Sequence, residues 1–285
     1  MTDLRDALDR SHLFHDAAEA ALRRRLAADP ESAPTWARLA DVLRQRGDVA
    51  GAAEACRRVL ALDPDYAPAA RLLAVLEGRG PAVGGTVPAP FVVVDGVLSE
   101  AERALVWDTV DAHEAAFVDS KLEAGAFNAE YRSSRSIKKR DLGALVPVVQ
   151  AHVLDVLARS WAALGVAPFE PGRIEMQLTA HLDGGFYKAH RDRGDVPPYA
   201  SRAVTYLYYF AREPRRFEGG DLLLLDTDLE ADTFGAAYTR VRHVDDRLVL
   251  FPSPFYHQVT SVTSETGDLH DARFAINGWV HAPEG

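Results

Sequence analysis

Apolar positions follow two different periods along the 285 residues. In the N-terminal part they recur three and four apart, so that Trp36, Leu39, Ala40 and Leu43, then Ala52, Cys56 and Leu60, mark one face of each of two helices. These run from Thr35 to Arg46 and from Val49 to Leu62, divided by Gly47-Asp48. A helix over residues 5–28 precedes them and one over 67–78 follows. Gly78 to Pro90 (GRGPAVGGTVPAP) interrupts the pattern as a Gly/Pro-rich linker, which divides the chain into residues 1–80, a linker at 81–90 and residues 91–285. Beyond it, Val92-Val93-Val94 reads as a buried strand and Ser99-Glu100 as the start of an amphipathic helix reaching Phe117, with a second helix from Leu142 to Leu164. The period then shortens to two. Strands are predicted at Ile174 to Leu182, Phe186 to Ala189, Ala203 to Phe210, Leu222 to Leu225, Arg247 to Phe251, His257 to Val262 and Arg273 to Val280. Short strands separated by Gly, Pro and Asp turns predict an α+β fold. It would be a double-sheet jelly roll or barrel with two helices against one face, behind a small all-α region.

The N-terminal helices repeat. At an offset of 34 residues Asp29-Pro30 pairs with Asp63-Pro64, Ala33-Pro34 with Ala67-Pro68, and Leu39-Ala40 with Leu73-Ala74. This period, with its Trp, Leu, Ala and Pro positions, resembles the tetratricopeptide repeat, departing from it at Cys56, where an aromatic is usual. The array is short, and a free-standing stack needs about three repeats. Its two readings are a concave surface for a protein or peptide substrate and a helical stalk that only packs.

Charge narrows the partners. The chain has 42 acidic against 32 basic residues, a net charge of −10, whereas nonspecific nucleic-acid binding needs a basic excess. The single cysteine, Cys56, forms no internal disulfide and suits a reducing compartment. The first sixteen residues (MTDLRDALDRSHLFHD) contain no apolar h-region, and no 18 apolar residues run together. A cytoplasmic protein with no membrane association is expected.

Candidate chemistry lies among the ten histidines. His-x-Asp puts two ligating side chains on the same face of an extended segment. Three such triplets occur: His181-Leu-Asp183, His190-Arg-Asp192 and His243-Val-Asp245. A facial triad for non-haem Fe(II) requires a further histidine from a later strand. His257 suits that role, following the apolar strand Leu248 to Phe251 and a Pro-Ser-Pro turn. His243 lies too near His257 for the intervening strands, and Asp245-Asp246 reads as a turn. His181-Leu-Asp183 runs into Gly184-Gly185 as a strand end. His190, Asp192 and His257 remain.

The order of motifs now resembles the prolyl 4-hydroxylase-like 2-oxoglutarate- and Fe(II)-dependent dioxygenases. The matching text is Phe186-Tyr-Lys-Ala-His-Arg-Asp192, Val204 to Phe210, Glu218-Gly-Gly-Asp-Leu222, Arg247 to Pro252, His257-Gln-Val259 and Arg273-Phe-Ala-Ile-Asn-Gly-Trp279. The resemblance implies a double-stranded β-helix, Fe(II) held by His190, Asp192 and His257, and 2-oxoglutarate and O2 as cosubstrates, with ascorbate as an accessory. The far carboxylate of 2-oxoglutarate needs a fixed cation, and a guanidinium meets it with two parallel hydrogen bonds. Arg273 fits. It opens the last strand, where Arg273, Ala275, Asn277 and Trp279 share one face, although the loop Thr263 to Asp271 lengthens its separation from His257. By resemblance Tyr209 donates its hydroxyl to the same carboxylate and His181 stands where a cosubstrate-lining tyrosine is common, with Asn277 also assigned to the cosubstrate. Arg202 has two readings, first a solvated arginine and then a residue facing the substrate, and Tyr187 reads as a residue of the site mouth or the barrel filling.

The resemblance implies a hydroxylase, releasing succinate and CO2, with a prolyl or other residue of a protein or peptide as target. Two alternatives accompany it: a hydroxylase of a small molecule or free amino acid with structural repeats, and an inactive repeat scaffold. The intact triad and Arg273 argue against the last.

Overall fold

The computed structural model describes residues 12–80, 84–120 and 131–283. Four helices stack at the N-terminal end: α1 (His12–Ala28), α2 (Ala33–Gln45), α3 (Val49–Leu62) and α4 (Ala67–Leu76). They follow the predicted periodicity closely; residues 5–11 of the first expected helix lie outside the described residues. Pro34 and Pro68 occupy the first turns of α2 and α4, where a missing N–H leaves no bond unmade. The Asp48 carboxylate caps α3 by accepting from the Gly51 N–H at 2.8 Å. Leu39, Leu43, Cys56, Val59 and Leu72 form their shared core.

Fifteen strands occur among the described residues. They are β1 (Thr86–Val87), β2 (Val92–Asp95), β3 (Val118–Asp119), β4 (Arg132–Ser133), β5 (Arg135–Lys138), β6 (Gln177–His181), β7 (Phe186–His190), β8 (Arg202–Phe210), β9 (Phe217–Gly219), β10 (Leu222–Asp228), β11 (Thr233–Val241), β12 (Arg247–Pro252), β13 (His257–Val259), β14 (Val262–Ser264) and β15 (Arg273–His281). The major sheet has the order β2-β12-β8-β15-β6-β5-β3, and the minor sheet β1-β10-β13-β7-β4 with β11 also on β10. All pairings are antiparallel. The two sheets face each other as a double-stranded β-helix.

Alternation decides which side chains face the cavity. On β8 Tyr206, Tyr208 and Phe210, and on β15 Phe274, Ile276 and Val280, pack outward in the largest apolar core. That core is covered by α5 (Glu100–Ala112) and α6 (Leu145–Ala158), through Val106, Val110, Val149 and Val153. Thr205, Leu207 and Tyr209 therefore face inward, beside Ala275 and Asn277.

Several elements differ from expectation. The helix expected from Leu142 to Leu164 is two, because α6 ends at Ala158 and a short α7 (Trp161–Leu164) follows Ser160. The strand expected to run to Val262 stops at Val259 and resumes as β14 against β9, so the expected surface loop Thr263 to Asp271 begins as a strand. β11 was not anticipated: its sequence TFGAAYTRV carries too few large apolar residues to alternate visibly. Within the Gly/Pro-rich stretch, Thr86–Val87 pairs with Asp228 and Thr227.

The repeats dock on the minor sheet, with α2 against β11. The buried Arg44 guanidinium makes two parallel bonds to Asp226, 2.8 and 2.9 Å, and Arg240 donates to the Gln45 carbonyl at 3.0 Å. Asp226 lies on β10, next to the strand that carries His257.

Candidate active site

Strand pairing brings the three candidate ligands together. His190 ends β7 and His257 opens β13, and the two are direct cross-strand partners. Asp192 lies two residues beyond the end of β7 and is held there by its N–H to the Ser253 carbonyl at 3.1 Å. One ligating atom from each residue lies within 4.8 Å of the others, with His257 Nε2 3.3 Å from Asp192 Oδ2 and His190 Nε2 3.6 Å from Asp192 Oδ1.

The second nitrogens are committed. His190 Nδ1 lies 2.7 Å from the Lys188 carbonyl and His257 Nδ1 3.1 Å from the Phe255 carbonyl, so each ring donates from Nδ1 and turns its Nε2 toward the carboxylate. Main-chain acceptors of this kind orient metal-binding imidazoles. Burial and the adjacent His257 push the His190 pKa down to about 4. Burial alone would raise Asp192, but His257 and His190 hold its carboxyl well below the usual range. A buried carboxylate between two imidazoles is a donor set suited to a divalent metal.

Across the cavity the major sheet contributes the other candidates. Arg273 is 1% exposed, and its Nε donates to the Gly220 carbonyl at 2.9 Å. Gly220 has φ +69°, and a Cβ there would stand 2.8 Å from Arg273 Cγ, so the Glu218-Gly-Gly turn leaves the room this side chain occupies. Arg273 Nη2 and the Tyr209 hydroxyl are buried without a well-formed hydrogen bond, the guanidinium lying 4.8 Å from the Tyr209 ring centroid. Two orphaned donors side by side fit a bound carboxylate. His181 is the cross-strand partner of Arg273, with neither ring nitrogen bonded. Burial, then Arg273, Arg132 and His243, hold its pKa well below the ordinary value, so it is neutral. Asn277 lines the same cavity and accepts from Thr179 Oγ1 at 2.7 Å.

These groups enclose a cavity of about 670 Å³. His243 lies outside its lining, packed against Tyr209 with Nε2 2.9 Å from the Phe274 carbonyl. Arg202 corrects the expectation of a solvated arginine: it is 5% exposed, 3.6 Å from the Trp279 ring centroid, and donates to Glu175 Oε2 at 3.0 Å and to the Asp192 carbonyl at 3.2 Å. Tyr187 stacks on His190 at 3.6 Å.

Some lining residues escaped the sequence reading. Arg132 and Lys138 belong to the segment between the predicted helices, where Ile137 is the one apolar residue of Arg132–Lys138, so no period-two pattern marks a strand there. Thr205 was recognised as part of a strand but not as the donor to Asp192 Oδ2 at 2.8 Å.

Residues 176–281 match the model of the 2OG-Fe(II) oxygenase superfamily. This is a 2OG-Fe(II) oxygenase domain. Residues 15–76 match a tetratricopeptide repeat model. An uncharacterized PKHD-type hydroxylase of Synechocystis is 31% identical over 197 residues, and the match covers 68% of this chain and 64% of that protein, just under two thirds of its length. A PKHD-type hydroxylase of Janthinobacterium is 27% identical, over 65% of this chain and 76% of that one. In structure, the oxygenase domain resembles a Trichoplax adhaerens prolyl hydroxylase solved with a hypoxia inducible factor peptide fragment. The TM-score is 0.50 at 20% identity, covering 67% of this chain and 83% of that one, a likeness of fold. No helix among the described residues is long and apolar enough to cross a membrane.

Proposed function

We propose that the chain is an Fe(II)- and 2-oxoglutarate-dependent hydroxylase of a prolyl or other residue in a protein or peptide. In this reading residues 91–285 are the catalytic unit, behind repeats at 1–80 and a linker at 81–90. The observation that carries it is the facing of two half-sites across one cavity: His190, Asp192 and His257 on one side, and the orphaned donors of Arg273 and Tyr209 on the other. His190 and His257 would hold the metal through Nε2 and Asp192 through its carboxylate. Arg273 and Tyr209 would bind the far carboxylate of 2-oxoglutarate, beside His181 and Asn277. Bound there, Fe(II) with 2-oxoglutarate and O2 supplies hydroxylation of an unactivated C–H bond, with 2-oxoglutarate converted to succinate and CO2.

The chain's own groups orient and protect that chemistry. Thr205 fixes the Asp192 carboxylate, the Lys188 and Phe255 carbonyls fix the imidazoles, and Tyr187 covers the His190 ring. Leu207 and Ala275 give the cavity apolar wall beside the cosubstrate end. The tetratricopeptide match supports protein interaction by the repeats. A second reading, a small-molecule hydroxylase whose repeats only pack, draws on their junction with the barrel. There the α2 residues Ala37, Ala40 and Arg44 face Thr86, Pro88 and Asp226 across a cavity of only about 260 Å³.

The test is anaerobic metal loading followed by succinate measurement after O2 is admitted. His257→Ala should lose metal and succinate formation together, whereas His243→Ala should keep its metal. Retention of metal by the first variant and its loss by the second would overturn the assignment.

A further inference from the structure

The segment Arg132–Lys138 spans the two sheets at one edge of the cavity, β4 pairing with β7 and β5 with β6. Arg132 therefore stands on the side of the metal-binding residues and Lys138 on the side of the cosubstrate residues, and both line the cavity. Arg132 is 8% exposed, and its guanidinium lies 4.7 Å from the ring centroid of Tyr187, the ring stacked on His190. Its Nε donates to Ser134 Oγ at 2.7 Å. Lys138 is exposed at the mouth, with Nζ 3.3 Å from the neutral acceptor Gln177 Oε1. Burial of its stem, and then the Arg132 charge, lower the Lys138 pKa, so the two cations sense each other.

The other mouth cations are matched. Arg202 and Arg173 reach Glu175 at 3.0 and 3.3 Å, and Arg191 meets Asp195 and Asp232 at 3.2 and 3.0 Å. Arg132 and Lys138 form no ion pair with a carboxylate of the described residues; Asp192 acts on Arg132 through space but is bonded by Thr205 and turned to the two imidazoles. With Arg273 assigned to 2-oxoglutarate, two positive charges remain directed into the cavity of a chain whose net charge is −10. Desolvating the Arg132 cation without an anionic partner is costly, and a carboxylate that also reaches the more exposed Lys138 meets the two with charge-assisted bonds.

We propose that Arg132 and Lys138 bind a carboxylate of the substrate, held beside the carbon presented to the His190 side of the cavity. The inference rests on the hydroxylase reading for which molecule this is. Two sources share the chemistry: an acidic residue adjoining the target residue of a peptide, and the free carboxylate of a small substrate.

The experiment uses the full chain loaded anaerobically with Fe(II) and 2-oxoglutarate, with tryptophan fluorescence as the readout, since Trp279 lines the cavity. The probes are two matched pairs: N-acetyl-Ala-Pro-Asp-Ala-amide against its Asn counterpart, and N-acetylproline against N-acetylprolinamide. The acidic member of one pair should bind at least fivefold more tightly, and which pair discriminates names the source. Added salt should shrink the ratio. Lys138→Glu, an exposed position that should fold normally, should bring it to one or below; Arg132→Lys, keeping the charge, should retain most of it. Equal affinities within both pairs, or an unchanged ratio in Lys138→Glu, would overturn the proposal. Succinate formation by the wild-type protein is followed in parallel. Its absence would strike the hydroxylase reading while leaving the binding ratio readable.

Discussion

Thr205 on the major sheet donates its hydroxyl to Asp192 Oδ2 at 2.8 Å, with Ser253 Oγ 3.0 Å behind it. Asp192 extends from the minor sheet, so this one bond ties the candidate ligand to the opposite wall of the cavity. It also leaves Oδ1 as the freer oxygen, turned toward His190.

Replacing Thr205 by Val keeps the shape and removes the donor. Groups that orient metal ligands typically contribute 10- to 100-fold to metal affinity. Thr205→Val should therefore bind Fe(II) roughly tenfold more weakly, with Thr205→Ser near the parent, in an anaerobic titration. Equal affinity in all three proteins would mean that Asp192 is oriented by its backbone alone.

Arg273→Gln removes the buried charge with little change of volume. Loss of one partner from a buried ionic contact costs about 3–5 kcal/mol, so the apparent KM for 2-oxoglutarate should rise by at least a hundredfold while metal content stays at the parental level. An unchanged KM would remove Arg273 from the cosubstrate site.

The junction with the repeats is open to the same logic. Arg44→Ala leaves Asp226 with a 12% exposed side chain and no arginine. The expected loss is about 3–5 kcal/mol, a fall in Tm of roughly 10 °C. Arg44→Met with Asp226→Leu should recover much of it. Deleting residues 1–80 should destabilise the barrel for the same reason. A truncated protein that melts like the parent, but turns over a protein substrate poorly, would favour recruitment over bracing.

A pH effect is expected at α5. Glu102 accepts from His152 Nε2 at 3.0 Å and from the Ser99 N–H and hydroxyl at 2.8 Å, and these bonds lower its pKa from 4.5 to about 2. A depressed carboxyl stabilises the fold fully above its unfolded value near 4.5, and that stability is lost as pH falls toward 2. In thermal melts, Glu102→Gln should trail the parent at pH 7 and approach it at pH 3. A gap that stays constant across that range would show that Glu102 does not titrate in this way.

Much of this was local. The helix-period apolar face of Trp36, Leu39 and Leu43, the Pro landmarks 34 apart, and the alternation of β8 and β15 are written in neighbouring residues, because helix and strand geometry alone sets which side chains share a face. Thus the two-part fold, the candidate triad and the inward face of Arg273 follow from spacing and motif order. Spacing says nothing about partners from distant strands. That Thr205 bonds Asp192, that Arg202 is buried on Trp279 rather than solvated, and that Arg132 and Lys138 converge from two sheets were decided only when β4 to β8 assembled. The junction Arg44–Asp226 joins residues 182 apart, and no local pattern marks either of them. The sequence determined which side chains each strand offers to the cavity; the packing of the two sheets decided which of them meet, because those contacts depend on cross-sheet register and burial, to which a single strand is blind.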